Sequence, residues 1–466
     1  MKFPLQTGRW NSWVHILASL VTCLSFVSAN AAPLTPVGTA RVDISPEQPV
    51  PLMGYAARAK LPAPSEVAQR IYARALAIGA DPDAAVLLTI DNCILPGTIT
   101  NEVRRRLEEK GNVRTERVTL SVTHTHSAPC LTGAAPNIFG RDLTQEEQTA
   151  IDAYTQSLIQ KLEQVALAAL ADRKPSTIAW GKGGVALAKN RRTAGGPVDH
   201  ELPMLRVTSA EGELRAVLAS YACHCTTLGG DFNAVHGDWA GVAAEAIERQ
   251  HPGATALIAI GCGADANPDP RGTLELAIRH GQEIARETER LLTSELVPLQ
   301  GAPECRLTTI QLPFQPHFSR EEWQARAGSE GGVGYHARKW LARLDRGERL
   351  PATLPYPVQT WSFGDQLALV FLGGEVVVDY SLRLKRELHA TRLWISAYCN
   401  DVPCYIPSRR ILAEGGYEAE SSLWYYDRPQ RLAPETEDLI IQTVHELLPK
   451  SFAPPASAAM PAPQCP

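Results

Sequence analysis

Residues 118–129 read VTLSVTHTHSAP, and the interpretation of the whole chain starts from them. In the first five positions valine and leucine alternate with threonine and serine, and this period of two is typical of a half-buried β-strand. We expect the alternation to continue through His124 and His126, which would place both imidazoles on the apolar side of the strand at its carboxyl end. In open α/β sheets ligands bind in the crevice beyond the carboxyl ends of the strands, so the two histidines mark a candidate site.

Two histidines that project together indicate a metal site or an acid/base pair, because neutral imidazole is the commonest metal ligand and titrates near neutral pH. The alternative is a strand end whose histidines are only hydrogen-bonded structural groups. We favour a functional role for a His-x-His pair, although two ligands do not define a metal site by themselves.

The composition is that of an ordinary globular protein, with 466 residues, of which 44% are hydrophobic and 20% are charged. The net charge of −5 provides no basic field for nucleic acid, so a nucleic-acid partner is not expected. We expect one domain at 32–450, followed by a disordered, Pro/Ala-rich tail at 451–466.

The N-terminus has the pattern of a secretory signal peptide over residues 1–31. Lys2 and Arg9 precede an apolar run at 14–27, and small residues follow it, so we expect cleavage after Ala31. The apolar run is too short for a transmembrane helix. The sequence therefore predicts a secreted or periplasmic protein without a transmembrane span.

The cysteine count bears on the same compartment. Removal of Cys23 with the signal peptide leaves nine of the ten cysteines, so at least one is unpaired or joins another chain. Cys399 and Cys404 are close enough in sequence to form a disulfide. Two cysteines flank His224, but in a strand their thiols would point away from the imidazole, so we consider His224 separately from them.

Helical and strand patterns alternate in the middle of the chain. The apolar run at 254–260 is consistent with a strand buried on both faces, and helical patterns lie before and after it at 239–250 and 274–292. We therefore expect an α/β fold with a mixed β-sheet core and helices packed on both faces. Further strands are expected at 39–44, as two strands within 71–90 and as a hairpin of 358–363 and 367–372. Further helices are expected at 98–107, after capping residues at Thr144 and Ser319, and at 335–346.

Other candidate residues also follow strands. Glu375 comes after an apolar run and two glycines, and a buried glutamate is costly unless it is paired or bound to a metal. A salt bridge to Arg383 and a metal site are equally consistent with this pattern. The loop at 261–268 is either a simple turn or part of the crevice. Arg191 alone would be typical of a surface residue.

Taken together, these segments resemble the neutral/alkaline, non-lysosomal ceramidases, specifically their N-terminal catalytic domain. The resemblance covers about 37–429. Each matching piece is a weak signal by itself, and the order of the pieces along the chain makes the resemblance specific. The matching pieces are Thr123-His124-Thr125-His126-Ser127-Ala128-Pro129 (THTHSGP in the family), Asn190-Arg191, the His224 segment, Asp265-x-x-Pro268, Gly374-Glu375, Asn400 with Tyr405, and Tyr417-Glu418.

The resemblance implies a zinc hydrolase. Its zinc ligands would be His124, His224, Glu375 and Tyr405, of which two histidines and a carboxylate form a known catalytic set on chemical grounds alone. The tyrosine ligand is implied only by the resemblance. Zinc in such a site lowers the pKa of a bound water to about 7, which supplies a nucleophile for an amide carbonyl.

The resemblance also implies a set of catalytic residues around the metal. His126 and Arg191 would hold the substrate carbonyl and stabilise its developing oxyanion, and Tyr417 would line the same pocket. Asp265 and Asn267 would complete the set. Asn267 stands where the family has a serine, and asparagine cannot be a hydroxyl nucleophile, although it can donate and accept hydrogen bonds.

The expected function is hydrolysis of the amide bond of ceramide or a related N-acyl compound by a zinc-activated water. A lipid substrate would imply transient contact with a membrane surface. The family's immunoglobulin-like C-terminal domain has no expected counterpart here. One alternative is a zinc hydrolase for a non-ceramide ester or an N-acetyl sugar, and another is a non-catalytic binding protein with the same fold.

Overall fold

β-Strands form the scaffold of this computed structural model, which describes Met1 and residues 34–453. The predicted signal peptide, apart from Met1, and residues 454–466 of the predicted tail lie outside the described residues. The described strands are β1 (Thr35–Asp43), β2 (Tyr72–Ile78), β3 (Ala85–Ile90), β4 (Val118–Val122), β5 (Lys174–Gly184), β6 (Ala188–Asn190), β7 (Glu201–Ser209), β8 (Leu214–Tyr221), β9 (Thr255–Ile260), β10 (Ala266–Pro268), β11 (Val297–Leu299), β12 (Glu304–Pro313), β13 (Thr353–Phe363), β14 (Leu367–Leu372), β15 (Glu375–Val376), β16 (Leu393–Ser396) and β17 (Tyr405–Ile406).

Nine of these strands form one mixed sheet in the order β4-β3-β2-β1-β5-β7-β8-β9, with β11 paired to β5. The β3–β4 and β8–β9 pairs are parallel. A second sheet has the order β12-β13-β14-β16, and its β14–β16 pair is also parallel. Two short pairs, β10–β6 and β15–β17, lie outside these sheets.

The two large sheets pack face to face. Their inner faces share one apolar core, to which Leu87, Leu205 and Leu218 contribute from the first sheet and Trp361 and Phe371 from the second. A core between two sheets explains why β9 is buried at all six positions, since side chains on its other face pack against helices.

Helices cover the outer faces of this sandwich. α2 packs on β1, β2 and β3, α3 packs on β9, and α9 packs on β12 and β13 of the second sheet. The predicted α/β class with helices on both sides is confirmed, although the two helical layers cover two different sheets. The α-helices are α1 (Gly97–Gly111), α2 (Gln145–Ala171), α3 (Asp238–Gln250), α4 (Leu274–Leu292), α5 (Arg320–Ala327), α6 (Gly331–Asp345), α7 (Val378–Glu387), α8 (Arg409–Glu414) and α9 (Thr436–Leu447).

The edges of the first sheet come together at one end of the molecule. β4 and β9 stand at opposite ends of the strand order, yet they contact each other, and the segment at 397–400 runs between them. The Ala397 N–H donates to the Ile260 carbonyl of β9 at 2.8 Å, and the Asn400 N–H donates to the Leu120 carbonyl of β4 at 2.7 Å. The carboxyl ends of β4, β8 and β9 therefore open into one crevice.

β4 differs from its sequence-based prediction in two ways. Its alternation predicts a half-buried strand, but all five residues are buried because the segment around Cys399 pairs with Ser121 and covers the polar side. The strand also ends at Val122, and His124 adopts a left-handed backbone conformation with φ of 58°. The histidines therefore lie in the loop after the strand, and a continued alternation through them is wrong.

Several other sequence predictions can be compared directly with the structure. The capping boxes at Thr144 and Ser319 are confirmed. Within the described residues Cys399 and Cys404 are both free thiols, so the suggested disulfide between them is not formed. Phe452 is buried and ends a short 3-10 turn, so residues 451 and 452 of the predicted tail belong to this turn. Among the described helices, none is both long and apolar enough to cross a membrane.

Candidate metal centre

Three parallel strand pairs direct their carboxyl ends toward one point. His124 follows β4, His224 follows β8, and Glu375 follows β14 after two glycines. Gly374 has a φ of 78°, a conformation that glycine adopts without strain, and it turns the chain so that Glu375 pairs with Tyr405 across β15 and β17. The topology thus brings together four residues that are separated by up to 281 positions in sequence.

The ligand atoms of three of these residues converge. The Nε2 atoms of His124 and His224 each lie 3.1 Å from Oε2 of Glu375. All three side chains are at least 98% buried, so this is an interior site and not a surface ion pair. Two ligands held 2.0–2.1 Å from a tetrahedral zinc ion are about 3.3 Å apart, which is close to the spacing observed here.

Backbone carbonyls fix the orientation of both ligand histidines. Nδ1 of His124 is 2.7 Å from the Cys93 carbonyl, and Nδ1 of His224 is 2.9 Å from the Gly263 carbonyl. A carbonyl only accepts, so each Nδ1 carries a proton and each Nε2 is the nitrogen turned toward Glu375. Metal-binding histidines in proteins are usually held by this kind of second contact.

Among the described residues, Glu375 has no lysine or arginine partner that would neutralise its charge at all pH values. No lysine or arginine nitrogen within residues 34–453 lies within 4.0 Å of its carboxylate, and Arg383 pairs with acidic residues elsewhere. The Tyr426 hydroxyl donates to Oε1. A buried carboxylate is costly without a counter-charge, so the donor set and its charge fit a divalent cation.

The pKa values of the three histidines differ strongly. Burial lowers the pKa of His124, but the neighbouring Cys93 and Glu375 outweigh burial and raise it to about 10. Burial and Arg191 lower the pKa of His224 to about 4. Burial and the neighbouring His124 hold the pKa of His126 well below its ordinary value. The metal-free site therefore holds one proton near neutral pH, on His124 beside Glu375.

Metal binding is expected to release that proton. Nε2 of His124 must be unprotonated to act as a ligand, so binding near pH 7 frees about one proton per ion, and the apparent affinity rises about tenfold per pH unit between about pH 6 and 8. Zinc titration calorimetry in two buffers of different ionisation enthalpy measures this number. An affinity that does not change across this range would show that His124 is not protonated in the free protein.

Gly263 supports His224 from behind, and a substitution there is expected to weaken metal binding. A Cβ at this position would lie 2.4 Å from the Cys223 nitrogen and 2.5 Å from the Ala222 carbonyl carbon, so the backbone must shift. We expect Gly263→Ala to cost about 1–3 kcal/mol of unfolding free energy and to reduce zinc affinity about 10-fold or more.

The matched control is Gly328→Ala. Gly328 has a φ of −74°, and its nearest contact would be the Ala325 carbonyl at 3.5 Å. Thermal unfolding and zinc titration should separate the two variants. If Gly263→Ala behaves like Gly328→Ala in both measurements, the support of His224 by this carbonyl is unimportant.

Arg191 lies next to the convergent ligands. Its Nη2 donates to the Tyr405 hydroxyl at 3.2 Å, and its Nε donates to Glu418 at 2.9 Å. The Tyr405 hydroxyl is 3.3 Å from Nε2 of His224, so Tyr405 reaches the same cluster. Glu418 also pairs with Arg192, and this buried carboxylate holds both arginines in place.

His126 lies on the open side of the cluster. Its Nε2 is 3.1 Å from Nε2 of His124, and its ring packs 4.8 Å from the Tyr55 ring. Its Nδ1 makes no hydrogen bond with any residue at 34–453, in contrast to His124 and His224. No backbone carbonyl of these residues fixes which nitrogen carries the proton, so the site does not impose one tautomer on His126.

A cavity of about 850 Å³ opens beside His126 and Arg191. Tyr405, Asn267 and Tyr417 also line it. Asp265 does not: its carboxylate accepts hydrogen bonds from the Val378 N–H at 2.8 Å and the Asn190 amide at 3.1 Å.

Asp265 instead positions Arg191. Its carbonyl accepts a hydrogen bond from the Arg191 N–H at 2.8 Å, and the same loop accepts the His224 N–H at the Ala266 carbonyl at 3.0 Å. Burial raises the pKa of the Asp265 carboxyl to about 6. The structure therefore places this residue behind the site, where it joins two loops, and not among the groups that face the cavity.

Four residues of the site had no role in the sequence-based prediction, and of these only Glu418 was named, as part of the family resemblance. Cys93 has its Sγ 3.8 Å from Nδ1 of His124, and the Tyr398 ring packs 4.4 Å from the His124 ring. Tyr426 contacts Glu375, and Glu418 orients Arg191. Cys93 follows the apolar strand β3, which is parallel to β4, and that pattern could have marked it. The two tyrosines carry no comparable signal.

Comparison with known protein families gives a match over the first part of the described chain. The family described as "Neutral/alkaline non-lysosomal ceramidase, N-terminal" matches residues 36–260. This range includes His124, His126, Arg191 and His224 but ends before Glu375. A comparison with curated protein sequences gives no match.

Solved structures with the same fold extend the match beyond that range. One, described as "Ceramidase complexed with C2", has a TM-score of 0.70 and 18% identity and covers 92% of this chain and 78% of that chain. The neutral ceramidase from Pseudomonas aeruginosa has a TM-score of 0.69 and 20% identity, with 92% and 77% coverage. At these identities the comparison establishes the shared fold.

Proposed function

Because residues 36–260 belong to the neutral/alkaline non-lysosomal ceramidase family, we propose that the protein is a zinc-dependent hydrolase that cleaves the amide bond of an N-acyl compound. The observation that carries this proposal is the convergence of His124, His224 and Glu375 in a buried site beside a cavity of about 850 Å³. Two imidazoles and one carboxylate, with room for a further ligand, form a donor set found in catalytic zinc sites.

His124, His224, Glu375 and Tyr405 would hold the ion. A bound zinc supplies a water of lowered pKa and polarises a carbonyl oxygen. Tyr405 is the weakest of the four donors by chemistry alone, because burial raises the pKa of its hydroxyl well above the ordinary value. The hydrogen bond from Arg191 opposes that effect by stabilising negative charge on the tyrosine oxygen.

Two residues that face the cavity have complementary tasks. Arg191 is fixed by Glu418, and its guanidinium donates hydrogen bonds near the cluster, so it can stabilise the negative charge that develops on a carbonyl oxygen. His126 is kept neutral, so it can accept a proton at one nitrogen and later donate it to a leaving amine. In this arrangement Arg191 would stabilise the negative charge and His126 would transfer the proton.

The direct test is turnover of a panel of amides by purified protein, with zinc added and after chelation. The panel contains ceramides of short and long acyl chains, an N-acetyl sugar and a carboxylic ester. We expect amide cleavage that is lost on chelation and restored by zinc. A folded, zinc-loaded protein that leaves the whole panel intact would contradict the proposal.

The same panel separates the alternatives. Preferential cleavage of the ester or the N-acetyl sugar would indicate a zinc hydrolase for a different bond. Saturable binding without product, unchanged by His126→Ala, would indicate a binding protein with this fold. The convergence of four polar, buried groups favours the enzyme, since burying them is costly without a function.

We also propose that the protein acts outside the cytoplasm. The support is the predicted signal peptide at 1–31, and β1 begins at Thr35, shortly after the predicted cleavage site. Sequencing the N-terminus of the protein recovered from the periplasm or medium should give a chain that starts at Ala32. Recovery of the intact N-terminus from the cytoplasm would contradict this proposal.

A further inference from the structure

The lining of the cavity is unlike a site for a long hydrocarbon chain. Among the residues that the structure describes, no leucine, isoleucine, valine, phenylalanine or methionine lines the cavity. Its larger apolar surfaces are the rings of four tyrosines, each of which also carries a hydroxyl. A long acyl chain would find little aliphatic surface to bury here.

Positively charged side chains outnumber negatively charged ones in the lining of the cavity. Three arginines line it against two glutamates, although the chain as a whole has a net charge of −5. The two glutamates are occupied by neighbouring arginines: Glu418 binds Arg191 and Arg192, and Glu414 binds Arg192 at 3.1 Å. The third arginine, Arg271, is therefore the source of the excess positive charge.

Arg271 has no acidic partner within residues 34–453. No carboxylate of that range lies within 4.0 Å, and its one hydrogen bond goes from Nη2 to the Tyr55 hydroxyl at 3.4 Å. The Tyr55 ring in turn packs 4.8 Å from the His126 ring. One tyrosine side chain therefore spans the distance between the reactive end of the cavity and a free guanidinium.

Asn267 adds a second donor to the lining of the cavity. Its Oδ1 accepts a hydrogen bond from Thr226 at 3.3 Å, which leaves the amide NH2 without a partner among residues 34–453. Guanidinium and amide N–H groups recognise anionic oxygens, and the guanidinium matches a carboxylate or sulfonate in a bidentate manner. Asn267 is the residue that departs from the family's serine.

From this geometry we propose that the substrate is a short-chain N-acyl compound whose amine portion carries an acidic oxyanion, such as a carboxylate or sulfonate, bound by Arg271 and Asn267. The inference rests on the proposed amide hydrolysis and narrows its substrate class. The amide carbonyl would lie beside His126 and Arg191, and the oxyanion would lie one tyrosine length away. Ceramide, which is neutral and has long chains, fits this cavity poorly.

The experiment compares acids with their neutral carboxamides. N-acetylglycine, N-acetyl-4-aminobutyrate and N-acetyltaurine are tested beside N-acetylglycinamide, the carboxamide of N-acetyl-4-aminobutyrate and a long-chain ceramide. We expect kcat/KM for the best acid to exceed that of its neutral counterpart at least about tenfold. In about 1 M salt, where the Debye length is about 3 Å, this ratio should fall. Faster cleavage of the ceramide than of every acid would overturn the proposal.

Variants connect the preference to Arg271. Arg271→Gln should reduce the acid-to-amide ratio about tenfold, and Arg271→Lys should restore part of it because the charge is kept without the fork geometry. Arg286→Gln, at an exposed position on α4 outside the cavity, should leave the ratio unchanged. An unchanged ratio in Arg271→Gln would overturn the proposal.

Equilibrium binding to the metal-free protein tests the anion site separately from the proposed amide hydrolysis. If nothing is cleaved but N-acetyl-4-aminobutyrate binds more tightly than its carboxamide and loses this advantage in Arg271→Gln, the proposed hydrolysis fails and the anion site stands. If neutral amides are cleaved and the acids have no advantage in binding or turnover, hydrolysis stands and the anion site fails.

Discussion

Glu375→Gln is expected to bind zinc at least about 100-fold more weakly than the wild-type protein. Glu375 is 2% exposed, and among residues 34–453 it is the one carboxylate within 3.1 Å of both ligand imidazoles. Glutamine keeps the size of the side chain but supplies no negative charge. Loss of one member of a buried charged set costs about 3–5 kcal/mol, which corresponds to a factor of 100 or more in affinity. Amide hydrolysis should fall with zinc content.

Glu295→Gln is the matched control, because Glu295 is exposed and makes no side-chain hydrogen bond or ion pair with residues 34–453. Zinc titration by calorimetry, with circular dichroism as a check on folding, compares the two variants. A folded Glu375→Gln protein that retains wild-type affinity would show that the metal is held elsewhere.

Arg191→Gln is expected to reduce kcat about 100- to 1,000-fold while the bound zinc remains stoichiometric. The guanidinium donates to Tyr405 and lies against the rings of Tyr405 and Tyr417 at 5.6 and 5.4 Å, so it is fixed before any substrate arrives. Removal of one fixed donor to a developing oxyanion has an effect of about this size. Glu418 keeps its pair with Arg192, so the loop should remain folded.

Lys189→Gln provides the control for this substitution. Lys189 lies two residues earlier on β6, and its side chain is 71% exposed and pairs with Asp269. We expect its kcat to stay within about twofold of wild type, as surface ion pairs contribute little. If Arg191→Gln instead loses zinc and keeps normal turnover per bound ion, Arg191 supports the metal ligands and does not act on the substrate.

Local patterns were enough to predict the elements that build the site. Periodicity, capping residues and turn residues in short windows predict the helices α3 and α4, the buried strand β9 and the hairpin of β13 and β14. The candidate residues at strand ends were also identified from local pattern together with the family resemblance. Each of these signals depends on residues that are close together in sequence, so a single sequence is enough to show it.

The meeting of His124 and His224 could not be derived from such patterns. It depends on β4 and β9, at opposite ends of the sheet order, being joined through the segment at 397–400, which donates hydrogen bonds to both. This contact links residues far apart in sequence and leaves no periodic trace. The same reason explains why Tyr398 and Tyr426 were missed, and why the predicted place of Asp265 among the catalytic groups differs from its position behind Arg191.

The most direct test of the central claim is a crystal structure of the zinc-loaded protein with an anomalous difference map measured at the zinc absorption edge. We predict one strong peak within about 2.0–2.2 Å of Nε2 of His124, Nε2 of His224 and Oε2 of Glu375, with Tyr405 beside it. A map without a peak among these side chains, at full zinc loading, would contradict the metal centre and the hydrolysis proposed from it.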